Sequence, residues 1–241
     1  MTTRDIGEAV TGWAPPARPG PGVLEGRWAR LERLDPARHA GEVHAANRAS
    51  DAIWEFLPYG PFETEDAWRA WAERMAPLED PFFYAIRDLT TGRAAGVASF
   101  LRIAPEAGSI EVGHICLAPE LQRTRAATEA MHLMMGWAFG AGYRRFEWKC
   151  DARNGPSRRA AERLGLSFEG VFRQATVVKG RNRDTAWFAA IDKEWGALDA
   201  AFEAWLAPGN FDAAGRQRVA LSELTRGVLV TRDPAVSGVG G

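Results

Sequence analysis

Hydrophobic residues recur along this chain with the period of two that is typical of strands or with the period near 3.6 that is typical of helices. Phe146, Trp148 and Cys150 alternate with polar residues and predict a strand, whereas Trp68 and Trp71 share one face of a predicted helix. Seven strands are predicted in this way, at residues 28–34, 82–87, 95–103, 110–117, 146–150, 168–178 and 185–191.

Five helices separate or follow these strands. The first is predicted to begin at Pro36 after the N-cap Asp35, the second to follow Thr64, and the fourth to end before Gly165. The third runs over about residues 123–139, and the last ends near residue 205. Because hairpins and crossover connections occur together in this order, we predict an α/β (α+β) domain with a mixed sheet covered by helices.

Composition divides the chain further. Residues 14–22 are rich in Pro and Gly, and the last five residues are also rich in Gly, so neither end is predicted to be regular. No internal repeat or long linker separates two cores between them. The predicted organisation is a flexible N-terminal arm at 1–22, one domain at 23–195, and a C-terminal helix and tail at 196–241.

The charge balance and the cysteines exclude several classes of function. The chain has 241 residues, and its 30 Lys and Arg almost balance its 31 Asp and Glu, so its net charge does not favour a nucleic acid or a membrane surface as partner. Cys116 and Cys150 lack CxxC spacing and nearby histidines, which argues against a metal site or a disulfide framework. Without an apolar leader or a long apolar run, the protein is expected in the cytoplasm.

The fourth predicted strand changes the face on which its apolar residues lie. Ile110 and Val112 share one parity, whereas Ile115 and Leu117 have the other, with residues 113–114 between them. A strand keeps one apolar face through such a change only if it contains a bulge, which adds one residue and disrupts the ladder. The sequence therefore predicts a bulge that leaves backbone N–H groups free.

This strand leads directly into the N-terminus of the third helix. The unpaired N–H groups of a first helical turn favour an anion, and Arg123 and Arg125 add positive charge there. The small residues Ala126 and Ala127 would let a diphosphate approach the backbone. The alternative is that the two arginines only begin a solvated helix.

Two segments resemble a known family, the GCN5-related N-acetyltransferases. Asn154 and Ser157, followed by Gly165, resemble the family's N-x-x-S…G-F segment. The similarity extends over about residues 26–195 and is greatest to the RimJ/RimL-like protein N-terminal acetyltransferases. The other segment resembles the family's pyrophosphate-binding signature Q/R-x-x-G-x-G/A and consists of Gln122, Arg123, Thr124, Arg125, Ala126 and Ala127. Here Arg125 replaces the first Gly, which puts the loop conformation in question because Arg adopts a positive φ poorly.

The resemblance implies a mixed, mostly antiparallel, twisted sheet of about seven strands, whose bulged central strand splays from its neighbour and binds acetyl-CoA. The pantetheine arm would pair with the backbone of Ile115, Cys116 and Leu117, and the diphosphate would lie on residues 122–127. Asn154 would cap the fourth helix and also contact CoA. Candidates for the 3′-phosphate, with a solvated basic face as the alternative, are Lys149, Arg153, Arg158 and Arg159.

The same resemblance implies direct transfer to an amine in a ternary complex. Ser157 would protonate the departing thiolate, although an inward Ser on a helix also commonly bonds a carbonyl. The base would be Glu111, the first candidate, or His114, or water. The alternative role for Glu111 is that of a paired surface carboxylate, and the alternative for His114 is that of a core histidine whose hydrogen bonds are satisfied. No metal is implied, and the two cysteines are expected to be small buried residues.

In the family, the region between the first two helices forms one wall of the acceptor site, where we expect Trp54, Tyr59 and Phe62.

We predict an acetyltransferase that acts on a primary amine, foremost a protein or peptide N-terminus. One alternative is transfer to an antibiotic-like or polyamine acceptor, with acetyl-CoA or succinyl-CoA as donor. Another is a non-catalytic acyl-CoA-binding module. Apolar residues at 202–206 suggest a homodimer contact.

Overall fold

The computed structural model describes residues 7–20 and 22–237. These residues form one sheet of eight strands, in the order β1-β2-β3-β4-β5-β6-β8-β7, within which β5 and β6 are the parallel neighbours. In chain order the strands are β1 (Val23–Glu25), β2 (Ala29–Arg33), β3 (Phe82–Asp88), β4 (Arg93–Ala104), β5 (Ser109–Leu117), β6 (Arg145–Asp151), β7 (Ser167–Val178) and β8 (Arg181–Ile191).

The mixed sheet and all seven predicted strands are confirmed, and one strand is added. The short β1 pairs antiparallel with β2, with Leu24 opposite Leu31. Three residues are too few to establish an alternating pattern, so tertiary pairing and not local sequence creates this strand.

Helices cover both faces of the sheet. The predicted N-caps Asp35 and Asn154 are confirmed, because each side chain accepts a backbone N–H of the helix that follows, and Thr64 caps α2 in the same way. The helices are α1 (Pro36–Asn47), α2 (Glu65–Met75), α3 (Arg125–Gly140), α4 (Gly155–Arg163), α5 (Asp192–Leu206) and the short α6 (Leu221–Thr225) and α7 (Pro234–Ser237).

The two faces of the sheet bury separate clusters of hydrophobic side chains. The larger cluster joins the sheet to α3 and α5 and contains Phe146, Phe188 and Phe202. The smaller cluster lies under α1 and α2 and contains Trp68 and Phe83. The strands β3 and β4 are therefore buried on both sides.

The suggested homodimer contact is wrong in its residues. Phe202, Trp205 and Leu206 are at most 5% exposed, because α5 turns its apolar face toward the larger cluster of its own chain. These side chains offer no surface to a second copy.

The C-terminal segment packs against α4. The guanidinium of Arg158 donates to both carboxylate oxygens of Asp233, at 2.7 and 2.6 Å, and both side chains are buried. Arg232 donates to Glu162 one turn further along α4. Among the described helices, none is long and apolar enough to cross a membrane.

Candidate active site

The predicted bulge lies in the middle of β5. On β4, Val97 pairs with Cys116 and Ser99 pairs with Gly113, so β5 contains one residue more than its partner over this stretch. His114 occupies the left-handed region with a φ of 52°. The parity change in the sequence therefore marks a true bulge.

Strands β5 and β6 separate at the same point. Their parallel pairing extends only from Ser109 opposite Arg145 to Val112 opposite Trp148. Beyond Val112, β5 continues to Leu117 with no partner on its β6 side among the described residues. The result is a wedge-shaped opening between two central strands.

The far half of β5 turns alternate backbone groups into this opening. Cys116 pairs with Val97, and the Ala118 N–H donates to the Ala95 carbonyl, so the groups of these residues face β4. Neighbouring residues of a strand direct their backbone groups to opposite edges, so those of Ile115 and Leu117 face the opening. The Leu117 carbonyl accepts the side-chain amide of Gln122 at 3.0 Å, which ties the following loop to this edge.

The loop ends at the N-terminus of α3. Thr124 is the N-cap, and its hydroxyl accepts the Ala127 N–H at 3.0 Å. The positive φ in this loop belongs to Arg123, at 62°, and not to Arg125, which is the first helical residue. The missing Gly therefore imposes no strain at position 125. Within the described chain no acceptor takes the N–H groups of Arg125 and Ala126, so both are available to an anion.

The two arginines of the loop have different surroundings. The Arg125 guanidinium lies 3.9 Å from the ring centroid of Trp28 and 4.7 Å from that of Phe211. Arg123 is exposed, and no described residue pairs with its charge. Arg123 is therefore the better placed of the two to meet a phosphate, and Arg125 supports the packing between β2 and the C-terminal segment.

Substitutions should separate these roles. Arg123→Ala is expected to weaken CoA binding by about two- to fivefold at low salt and less at high salt, as for a single exposed charge. Arg125→Ala should cost about 1–2 kcal/mol of folding stability by loss of two cation–π contacts, with a smaller effect on affinity. Titration calorimetry and thermal unfolding of both variants provide the comparison, and an affinity loss confined to Arg125→Ala would contradict the assignment.

Two of the predicted 3′-phosphate ligands are engaged elsewhere. Arg158 is held by Asp233, and the Lys149 ammonium lies between Glu111 and Glu147, at 2.9 and 2.7 Å. The prediction is wrong for both residues, since buried carboxylates already neutralise them. Arg153 and Arg159 remain exposed.

Ser157 lies in the first turn of α4 and faces β6. Its hydroxyl oxygen accepts the indole N–H of Trp148 at 3.0 Å, and Asn154 caps the same turn through the Ser157 N–H. Because the oxygen accepts from Trp148, its own proton can be donated, and the Cys150 thiol is a hydrogen-bond neighbour of the same hydroxyl. Burial raises the pKa of the nearby Cys150 thiol to about 11 and that of Cys116 to about 12, so neither cysteine is a ready nucleophile.

Glu111 lies just before the bulge and is 2% exposed. Its two carboxylate oxygens contact the Arg102 guanidinium at 2.7 Å and the Lys149 ammonium at 2.9 Å. Burial raises the pKa of Glu111 above its ordinary value, while the hydrogen bonds and charges of Lys149 and Arg102 act against this rise. Glu111 is thus a buried carboxylate paired with two cations.

His114 projects from the bulge between aromatic rings. Its imidazole stacks on Tyr59, with centroids 5.6 Å apart, and lies 5.2 Å from the ring of Phe83. Burial, followed by the charges of Arg102 and Arg183, lowers the pKa of His114 to about 4. The ring is therefore neutral at physiological pH.

The three predicted acceptor-site aromatics form one group. The Trp54 ring lies 6.2 Å from Tyr59 and 5.2 Å from Phe62, and Tyr59 connects them to His114. Trp54 is only 3% exposed, so it belongs to the smaller cluster more than to an open pocket. The Lys179 ammonium at the β7–β8 turn donates to the Trp54 carbonyl at 2.9 Å, which brings this hairpin over the group.

Sequence reasoning missed the groups that surround Glu111. Arg102 and Lys149 come from β4 and β6, and the Lys149 ammonium also lies 3.7 Å above the ring of Trp187 on β8. The spacing of these residues carries no signal, because they meet only through strand register. Recognition of β6 as a neighbour of β5 would have been required to find them.

Comparisons with known proteins agree with this geometry. A family model for the acetyltransferase (GNAT) domain matches residues 29–167. A GCN5-related N-acetyltransferase from Brucella melitensis is 45% identical with a TM-score of 0.88, over 90% of this chain and 100% of its own. A probable acetyltransferase of the GNAT family from Chromobacterium violaceum is 39% identical with a TM-score of 0.75, over 82% of this chain and 100% of its own.

A more distant structure shares the fold alone. RimL, a ribosomal L7/L12 alpha-N-protein acetyltransferase, is 22% identical with a TM-score of 0.61, over 75% of this chain and 99% of its own. Among curated proteins, no sequence matches significantly. The family model nevertheless covers more than half of the chain, and the bulged strand and its splayed neighbour are the features that the resemblance implied. The chain therefore belongs to the GCN5-related N-acetyltransferases and is an acyl-CoA-dependent acetyltransferase.

Proposed function

We propose that the protein transfers an acetyl group from acetyl-CoA to the N-terminal α-amine of a protein or peptide. The observation that carries this proposal is the weakness of the available bases. His114 has a pKa near 4, and Glu111 is paired with two cations. Such groups suit an acceptor that is already partly neutral at physiological pH.

The two common amines of proteins differ in this respect. An α-amine has a pKa of about 7.7–8.0, whereas a lysine side chain has a pKa of about 10.4. At pH 7.4 roughly a quarter of the α-amines are neutral, compared with about one lysine in a thousand. At equal total concentration, the neutral and reactive form of the α-amine is therefore more than about a hundredfold more abundant than that of the lysine side chain. A site with weak bases favours the α-amine for this reason.

The donor fits the opening between β5 and β6. The backbone groups of Ile115 and Leu117 would pair with the amides of the pantetheine arm, as an added strand does. The N-terminus of α3 would receive the diphosphate, with Arg123 beside it. A backbone N–H of β5 that faces the opening would stabilise the negative charge that develops on the thioester oxygen.

Transfer would be direct, in a ternary complex. The amine nitrogen attacks the thioester carbonyl, a C–N bond forms, and the C–S bond breaks. The ammonium proton leaves to water or to Glu111, and His114 lines the approach of the amine. The CoA thiolate takes a proton from the hydroxyl of Ser157, which Trp148 holds in place, and the Ser157 oxygen regains a proton from water.

A thiol-release assay tests this function. The acceptors are a lysine-free peptide with a free N-terminus, the same peptide with a blocked N-terminus, a lysine-containing blocked peptide, a polyamine and an aminoglycoside. Release from acetyl-CoA is expected with the free N-terminus and not with the blocked peptides. Turnover with the polyamine or the aminoglycoside in place of the peptide would overturn the proposal in favour of small-molecule acylation, and succinyl-CoA in parallel tests the donor.

A further inference from the structure

The hairpin of β7 and β8 carries more basic than acidic side chains. Residues 173–184 contain one acid, Asp184, and four cations, Arg173, Lys179, Arg181 and Arg183. No described carboxylate lies within ion-pair distance of any of these four. Lys179 at the turn donates to the Trp54 carbonyl at 2.9 Å, so the hairpin lies over the acceptor-site aromatics. An unpaired basic segment is therefore next to the place where the acceptor is expected.

Arg183 is the cation of this hairpin that faces the candidate active site. Phe188 is buried in the larger cluster, so Trp187 lies on the opposite face of the sheet, where the Lys149 ammonium is 3.7 Å above its ring. Arg183 shares the face of Trp187, since the two are four residues apart on one strand. Because β6 ends at Asp151, Arg183 lies two residues beyond the last pair of β6 and β8, level with the opening.

The charge of Arg183 reaches His114 and is not neutralised. Burial, followed by the charges of Arg102 and Arg183, lowers the pKa of His114. Arg102 is paired with Glu111 at 2.7 Å, whereas Arg183 has no such partner among the described residues. Of the two guanidinium groups near the bulge, Arg183 is therefore the one whose charge is uncompensated.

The guanidinium of Arg183 can be reached from solvent. Its side chain is half-buried, and its Nε is enclosed without an acceptor. The two terminal nitrogens also lack an acceptor in the described part of the chain, but they are not enclosed. A ligand can approach this end of the group, where two parallel N–H bonds fit the two oxygens of a carboxylate.

The face on which Arg183 lies favours the acceptor as the source of this carboxylate. Helix α3, whose N-terminus is the expected diphosphate site, packs on the opposite face within the larger cluster. Arg183 is on the face of Tyr59 and His114. Acetyl-CoA carries phosphates and no carboxylate. The other source of a carboxylate at this place is the acyl group of succinyl-CoA, which the experiment tests separately.

We propose that Arg183 binds the carboxylate of an acidic side chain at the second or third residue of the acceptor, so that the protein prefers peptides with acidic N-terminal segments. The inference rests on the proposed function and adds to it the class of peptide that is acetylated. These two residues are within reach because an extended chain covers about 3.3 Å per residue, which places them within about 7 Å of the amine. The other cations of the hairpin attract an acidic chain to the same wall.

Matched peptides test the inference. Each has a free N-terminus and no lysine, and carries one glutamate at its second, third or eighth residue, or a glutamine in the same place. For the wild-type protein at about 0.1 M ionic strength, kcat/KM is expected to be about three- to tenfold higher with glutamate than with glutamine at the second or third residue. The ratio should be near one at the eighth residue, which is roughly 20 Å from the amine and beyond the Debye length.

Variants of the hairpin separate a local contact from a general field. Arg183→Gln should bring the glutamate-to-glutamine ratio to about one, and Arg183→Glu should favour a peptide with arginine in that place. The matched control is Arg173→Gln, which removes the same charge from an exposed residue of the hairpin and should retain the wild-type ratio. Because each ratio compares two peptides on one protein, a reduced folded fraction does not change it.

Several results would overturn the inference. These are a wild-type ratio near one, a ratio that persists in Arg183→Gln, and a ratio that falls equally in Arg173→Gln. If Arg183→Gln lost activity with succinyl-CoA alone and kept its peptide ratio, the guanidinium would belong to the donor site instead. Acetylation of all the peptides at equal rates refutes the acidic preference alone, whereas acetylation of none of them refutes the proposed function.

Discussion

Ser157→Ala is expected to lower kcat by about a hundredfold or more, the usual contribution of a general acid, with little change in the affinity for acetyl-CoA. The hydroxyl lies in the first turn of α4, and its oxygen accepts from Trp148 at 3.0 Å, so its proton can be donated to a leaving thiolate. Alanine retains the helix and its Asn154 cap but has no proton to give. Steady-state kinetics and calorimetry with CoA measure the two quantities.

Trp148→Phe is the companion variant. It removes the indole N–H and leaves the hydroxyl, so kcat should fall by less than in Ser157→Ala. A kcat of Ser157→Ala close to the wild-type value would exclude Ser157 as the acid. A parallel loss of CoA affinity would instead assign it a binding role.

Asp233→Ala is expected to reduce the free energy of unfolding by about 3–5 kcal/mol, because it leaves the charge of Arg158 buried without its partner. Asp233 is fully buried, and its carboxylate accepts both guanidinium bonds of Arg158. The residue lies in the C-terminal segment, whereas Arg158 is next to Ser157 on α4. Denaturant unfolding of the full chain measures this effect.

Two controls accompany this variant. Glu120→Ala breaks an exposed pair with Arg93 and should change stability little. The double variant Arg158→Met with Asp233→Leu replaces the whole pair by apolar side chains and should recover most of the lost stability. If Asp233→Ala were no less stable than Glu120→Ala, the C-terminal segment would not support α4 as described.

Most of the fold was predictable because local patterns and tertiary structure agree. The caps Asp35 and Asn154 and the start of a helix after Thr64 are local features, and the structure confirms each of them. The change of parity after Val112 predicted the bulge because side chains alternate strictly along a strand. These features depend on residues that are close neighbours along the chain, so the sequence was sufficient for them.

The rest depends on register between distant elements. Lys149 meets Glu111 only because β6 lies beside β5, and Arg158 meets Asp233 only because the C-terminal segment returns to α4. The sequence assigned no function to the residues from 208 onward, since none of their partners is local. Arg125 was expected to contact phosphate, yet the rings of Trp28 and Phe211 determine its direction.

The central claim is the identity of the amine. A peptide with a free N-terminus and one internal lysine, incubated with acetyl-CoA and the protein, can be fragmented in a mass spectrometer to locate the acetyl group. The account predicts a mass increase on the first residue alone, because His114 has a lowered pKa and the Glu111 carboxylate is held by two cations, which favours an amine that is already partly neutral. Acetyl groups on the lysine side chain, with the α-amine unmodified, would contradict it.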